Sequence, residues 1–217
     1  MNRPAFNVKR LVLMAMLSAL AYLVMALIKI PVVLFLKYEP KDVIITIGGF
    51  LLGPLASFLI SLVVSLIEMV TVSDTGPIGA LMNLLSTCTF ACTAAFIYKK
   101  KHNLKGAVLG LAFGTMAMVG TMLLWNWLIT PLYMGQPREV VEKLLIPAFL
   151  PFNLLKGGLN MAFTLILYKP LVTALRKTGL VYAHPAHKSS AKPEIYLLGL
   201  GLLATCVLFF LVLRGII

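Results

Sequence analysis

Acidic residues are scarce in this chain, with seven Asp and Glu against nineteen Lys and Arg in 217 residues. Charge of either sign amounts to only 12% of the sequence, roughly half the ~25% of an ordinary water-soluble domain, so that class is excluded. The few carboxylates are too scattered for a two-metal site, and no His–carboxylate or Ser–His pairing falls within the apolar runs. A Walker sequence is also missing, which excludes nucleotide hydrolysis by the chain itself. No enzymatic activity is expected. Cysteine is limited to Cys88, Cys92 and Cys206, all inside apolar runs. Cys88 and Cys92 share a helix face, but two thiols without histidine make a poor metal site, and packing is their expected role. None of the apolar blocks alternates with period two, which excludes a membrane β-barrel.

What the chain does have is apolar bulk, 60% of it, arranged in repeated long blocks. That pattern reads as an all-α polytopic integral membrane protein. The net charge of +12 lies between the blocks and not along an amphipathic face, so it reports membrane orientation and not a nucleic-acid partner.

Leu11–Ile28 is the first span and lacks a small-residue cleavage pattern, so it is expected to be retained. Ala15 and Ala19, with Ser18 and Ala21 beside them, form a small-residue face suited to close helix contact. Residues 29–41 carry Pro31 and Pro40 and are too polar at their end to span, so they are expected to fold over the outer mouth as a lid. Residues 43–71 are read as two short spans broken at Gly53-Pro54, because proline has no N–H and disfavours helix before it. The hydrophobic mismatch of two short spans is expected to be taken up by local thinning. Ser73–Pro77 is then an outer turn and Ile78–Tyr98 the fourth span. Lys99–Lys105 is an inner loop, and Gly106–Thr130 the fifth span, with Trp125 and Trp127 as interface anchors. Pro131–Leu144 is an outer connection, and Leu145–Leu175 holds the sixth span. Residues 177–194 form a polar linker in which the His184/His187 spacing is expected to be solvated. Ile195–Leu213 is a seventh span. The chain thus divides into a six-helix membrane domain (1–176), the linker, and an extra C-terminal segment (195–217). Most of the nineteen basic residues fall on one side, which predicts a multi-pass membrane protein with a cytoplasmic N-terminus.

The most informative stretch is Pro151–Asn160. Asn153, Lys156 and Asn160 stand at i, i+3 and i+7, on one helix face. An ionisable group at membrane depth costs roughly 3 kcal/mol or more, so its default role is functional. Glu68, Asn83 and Asn126 fall at the same outer depth on other spans, and Tyr38, Glu39 and Asp42 come from the lid and the start of span two. The inner halves of these helices are nearly all aliphatic. This asymmetry predicts a pocket open to the outside and not a channel lined throughout. Asparagine amides supply a donor and an acceptor each, which suits planar heterocycles. Lys156 can meet a ligand or pair with a carboxylate such as Glu68. An ion-coupled secondary transporter using Glu68 and Lys156 as a relay is the alternative reading. Against it, no matched inverted halves are visible.

Four runs, LKYEPKDVIITIGGFLLGP (36–54), GPIGALMNLLST (76–87), WNWLITPLYMG (125–135) and LPFNLLKGGLN (150–160), resemble the riboflavin-specific S component of energy-coupling factor transporters. The resemblance covers about residues 8–176. It implies a six-helix membrane protein that captures a vitamin from outside with high affinity, under its first loop. It also implies work with a transmembrane T component and two cytosolic ATPases, with riboflavin as transported ligand and no cofactor. By this resemblance Asn126, Asn153 and Lys156 make the polar flavin contacts, and Ala15 and Ala19 belong to the face that docks on the T component. Tyr38, Glu39 and Asn83 join the expected site through depth alone. Another vitamin within the same architecture is the nearest alternative. The seventh span lies outside the six-helix pattern.

Overall fold

Arg10 donates from its guanidinium to the carbonyl of Leu52, so the start of the first helix is pinned to the end of the second. The computed structural model in which this contact occurs describes residues 8–72, 76–177 and 193–216. The linker histidines His184 and His187, and Ser73–Thr75 of the outer turn, lie outside the described residues.

Helix α1 (Val8–Leu27) buries Leu13, Leu17, Ala21 and Met25 at helical spacing. Ser18 goes inward with them, whereas Ala15 and Ala19 are exposed on the opposite face. The lid segment is not a coil. It folds as an antiparallel hairpin of β1 (Ile30–Val33) and β2 (Leu36–Tyr38), with Ile30 opposite Tyr38. Leu36 and Tyr38 alternate onto the buried face while Lys37 points out, a period-two signal too short to stand out from the apolar run around it. At its tip Leu34 has φ 51°, a left-handed conformation that rarely suits a branched side chain. The expected lid also ended one residue late: Lys41 is the first residue of α2 and is almost wholly buried.

Helices α2 (Lys41–Leu52) and α3 (Pro54–Thr71) are separated at Gly53, whose φ of 95° breaks the helix while Pro54 starts the next one. At 12 residues α2 is only about 18 Å long, well short of a ~30 Å hydrocarbon core. Every residue from Lys41 to Phe50 is buried, because α1, α3, α4 and α8 surround the helix.

Helix α4 (Gly76–Lys101) and α5 (Leu104–Leu128) form the tightest pair. Gly110 and Gly114 lie against the backbone of α4, where added Cβ atoms would come within 2.7 Å of the Ala94 carbonyl and 2.6 Å of that of Phe90. Small residues four apart let the backbones approach in this way. Asn103 caps α5, accepting from the Gly106 amide at 2.7 Å. The expected outer connection holds two short helices, α6 (Thr130–Met134) and α7 (Arg138–Leu144), with the turn between them at Gly135 (φ 63°). Trp127 donates to Glu142 of α7 at 2.9 Å.

A widened, π-type turn at Leu145–Phe149 leads into α8 (Leu150–Lys177). Pro147 within it and Pro151 just beyond it supply no N–H, which removes bonds that would hold a regular α-turn. Helix α9 (Pro193–Leu213) then packs along α8. Among the described residues, six helical stretches are long and apolar enough to cross a membrane: α1, α3, α4, α5, the Arg138–Leu175 stretch and α9. With the enclosed α2, helices α1–α5 and α8 make the six-helix bundle, and α9 is additional. A large apolar core fills its centre (Leu17, Ile45, Phe90, Leu111, Met118), and a second cluster under the hairpin joins Val32, Leu36 and Tyr38 to Phe149 and Phe152.

Candidate functional site

Between the hairpin and the bundle lies a cavity with an empty volume of about 900 Å³, counting its open mouth. Phe35, Leu36, Lys37 and Glu39 of the hairpin and its exit cover it, with Lys29 at the rim. Glu68 comes from α3, Met82, Asn83 and Ser86 from α4, Met122 and Asn126 from α5, Tyr133 from α6, and Phe152, Asn153 and Lys156 from α8. Aromatic and thioether walls thus surround a few amides and charges.

Asn126 donates through Nδ2 to the Met122 carbonyl at 2.7 Å and accepts from Thr130 Oγ1 at 2.9 Å. Asn153 donates to the Phe149 carbonyl at 2.8 Å. Asn126 is therefore tied to its own helix and to the start of α6, and Asn153 to the turn that leads into α8; neither bonds to another spanning helix. The tie fixes their orientation while leaving each a second Nδ2 proton. Lys156 is 3.3 Å from Asp42 Oδ2 and donates to Ser86 Oγ at 3.1 Å, which accounts for two of its three protons.

The carboxylate partner of Lys156 is Asp42, not Glu68. Glu68 instead holds Lys41, whose ammonium also lies 2.9 Å from Glu39. Asn83 donates to the other oxygen of Glu68 at 2.7 Å, so Asn83 both faces the cavity and ties α4 to α3. Asp42 is completely buried and is satisfied by Thr87 at 2.6 Å and by Asn160 at 3.1 Å, beside Lys156. Lys29 approaches Glu39 at 3.9 Å. Across this assembly Lys29, Lys41 and Lys156 balance Glu39, Asp42 and Glu68.

Tyr38 departs from expectation. It does not line the cavity; it is buried behind the hairpin, and its hydroxyl donates to Asn160 Oδ1 at 3.1 Å. Tyr38 stands two residues along the strand from Leu36, which does line the cavity, but its hydroxyl instead reaches down to α8. Burial raises its phenol well above the usual value, and the nearby Asp42 adds to the effect. Asn160 shares the expected face with Asn153 and Lys156 but is also enclosed in protein, serving Tyr38 and Asp42. Asn126, Asn153 and Lys156, by contrast, come from two helices to line one cavity.

Sequence reasoning missed Lys41, Ser86, Met122 and Phe152. Ser86 and Met122 were recoverable, since they lie three and four residues from Asn83 and Asn126 on the same helix faces. Lys41 was not, because a lysine after Glu39-Pro40 reads as solvated loop.

Comparison with known proteins bears on this arrangement. Residues 9–168 match the model of the family described as "ECF transporter, substrate-specific component". The chain is 29% identical over 179 residues to the riboflavin transporter RibU of Staphylococcus aureus (strain TCH60), covering 78% of this chain and 93% of that protein. It is 30% identical over 176 residues to the riboflavin transporter FmnP of Bacillus subtilis (strain 168), covering 75% and 92% respectively. A solved S component of a bacterial ECF transporter superposes with a TM-score of 0.66 at 30% identity, covering 77% of this chain and 98% of that one.

Proposed function

The chain belongs to the substrate-specific components of ECF transporters, and from that premise we propose that it captures riboflavin from outside the cell. The observation that carries this reading is the convergence of Asn126, Asn153 and Lys156 on one covered cavity. Each keeps a donor beyond those used within the protein. Three oriented donors suit the carbonyl and ring-nitrogen acceptors of a flat isoalloxazine, and Phe35, Tyr133 and Phe152 offer it apolar faces. Charge balance among the buried ion pairs suits an uncharged vitamin.

Delivery into the cell then needs other subunits. The chain lacks a nucleotide-binding sequence, so a transmembrane T component and two ATPases supply the work. Ala15 and Ala19, exposed on α1, offer the close-contact face for the T component. In this orientation the N-terminus is cytoplasmic, and the hairpin faces outward.

The test is direct. Protein purified from riboflavin-grown cells should be yellow, release riboflavin identifiable by mass spectrometry, and quench added flavin on titration. In liposomes without ATPases it should bind but not accumulate the vitamin. A colourless protein that leaves flavin fluorescence unchanged overturns the reading.

A further inference from the structure

Helix α9 begins beyond the 9–168 region that matches the family, yet it reaches the cover of the binding cavity. Gly199, Leu202, Cys206, Phe210 and Leu213 recur every three or four residues and form its single inward stripe, while Leu198, Val207, Leu208 and Val212 are exposed. The lower part of the stripe rests on α8. A Cβ on Gly199 would meet Ile166 at 2.8 Å, and one on Gly158 would meet Cys206 Sγ at 2.7 Å. The upper part joins the cluster under the hairpin. Cys206 is buried there with Val32, Leu36 and Tyr38, and Leu202, Phe210 and Leu213 pack against the same group. The helix also touches β1 directly.

The hairpin is also held by Phe35 against Tyr133 and Phe149 and by packing on Phe149 and Phe152. Among the described residues it is a two-stranded sheet with no further strand beside it, a unit of marginal stability by itself. Tyr38 bonds to Asn160 from the same buried face that the α9 cluster backs. Support behind that face stabilises the closed hairpin, and a closed hairpin must lift before a guest beneath Phe35 and Leu36 can leave.

We infer that α9 is a latch for the hairpin, setting how long the site holds its ligand through contacts that never touch the ligand. The inference rests on the riboflavin reading above, and differences of this kind are expected mainly in the dissociation rate. Because the contact is one narrow stripe with the rest of the helix turned outward, α9 biases the hairpin toward closure without locking it.

The test measures riboflavin release from the full-length protein in nanodiscs, by chasing radiolabelled riboflavin with an excess of unlabelled vitamin. Phe210→Ala with Leu213→Ala removes half-buried apolar contacts behind the hairpin and should speed release about tenfold, with association little changed. Val207→Ala, on the exposed face, should release at the parent rate. Gly158→Ala pushes against Cys206 and should also speed release. Parent-like release from the Phe210/Leu213 variant overturns the latch, as does parent-like release from Gly158→Ala. A parent protein that binds no riboflavin overturns the functional reading itself, so the two failures are distinguishable.

Discussion

The ammonium of Lys156 lies 3.3 Å from the Oδ2 of Asp42, joining α8 to the first turn of α2 beneath the cavity. Asp42 is fully buried whereas Lys156 retains contact with the cavity, so the pair presents its cationic end to a guest. Removing the carboxylate alone strands a buried charge, which costs about 3–5 kcal/mol. Asp42→Asn should therefore lower thermal stability sharply, and Asp42→Asn with Lys156→Met should recover part of it. Additive losses in a double-mutant cycle followed by thermal unfolding would mean that the pair is not coupled.

Asn126 and Asn153 bond internally to residues four positions away, Asn126 to Met122 and to Thr130 at the start of α6, and Asn153 to Phe149 in the turn before α8. Replacing either by alanine breaks no bond between spanning helices, so the thermal midpoint should change little. Riboflavin affinity should fall by about 1–3 kcal/mol, the loss of one oriented hydrogen bond to a buried acceptor. A fluorescence titration beside a melting curve separates this outcome from a packing role, which would move the midpoint and spare the affinity.

Lys41 stands between Glu39 and Glu68 with almost no exposure. Lys41→Met leaves two carboxylates without their shared cation and should destabilise the protein by about 3–5 kcal/mol. Adding Glu68→Gln removes one of the stranded charges and should restore part of the midpoint. Equal midpoints for the single and double variants would show that Glu68 does not depend on Lys41.

Tyr38 lies off the cavity wall, so its effect on binding should pass through the hairpin. Tyr38→Phe loses the bond to Asn160 and should cost about 0.5–1.5 kcal/mol, read mainly as faster riboflavin release. The raised phenol also predicts a pH dependence. Above about pH 10 an unfolded tyrosine ionises while the buried one stays protonated. The folded state then binds the extra proton, so stability falls as pH rises through that region. Below it this residue contributes no slope. Alkaline unfolding of Tyr38→Phe should show a shallower fall than the parent, and identical slopes would count against the buried phenol.

Much of the architecture was legible from periodicity and composition. Long apolar blocks required helices across a membrane, because a backbone in lipid must satisfy its own hydrogen bonds. Gly53-Pro54 marked a break because neither residue sustains a helix there. The i, i+3, i+7 spacing put Asn153 and Lys156 on one face, and the cavity lies against that face. The same spacing did not reveal that Asn160, one turn further, would be enclosed.

What only the tertiary structure decided was partnership. A sequence shows that buried charges need partners but not which ones, since Asp42 meets Lys156 across more than a hundred residues. Neighbours Lys41 and Asp42 divide between two separate ion pairs because successive side chains on a helix point about 100° apart. The hairpin, the complete enclosure of α2 and the seat of α9 likewise came from packing between distant segments. Local residue order determines which face a side chain occupies; the folded neighbours determine what that face meets.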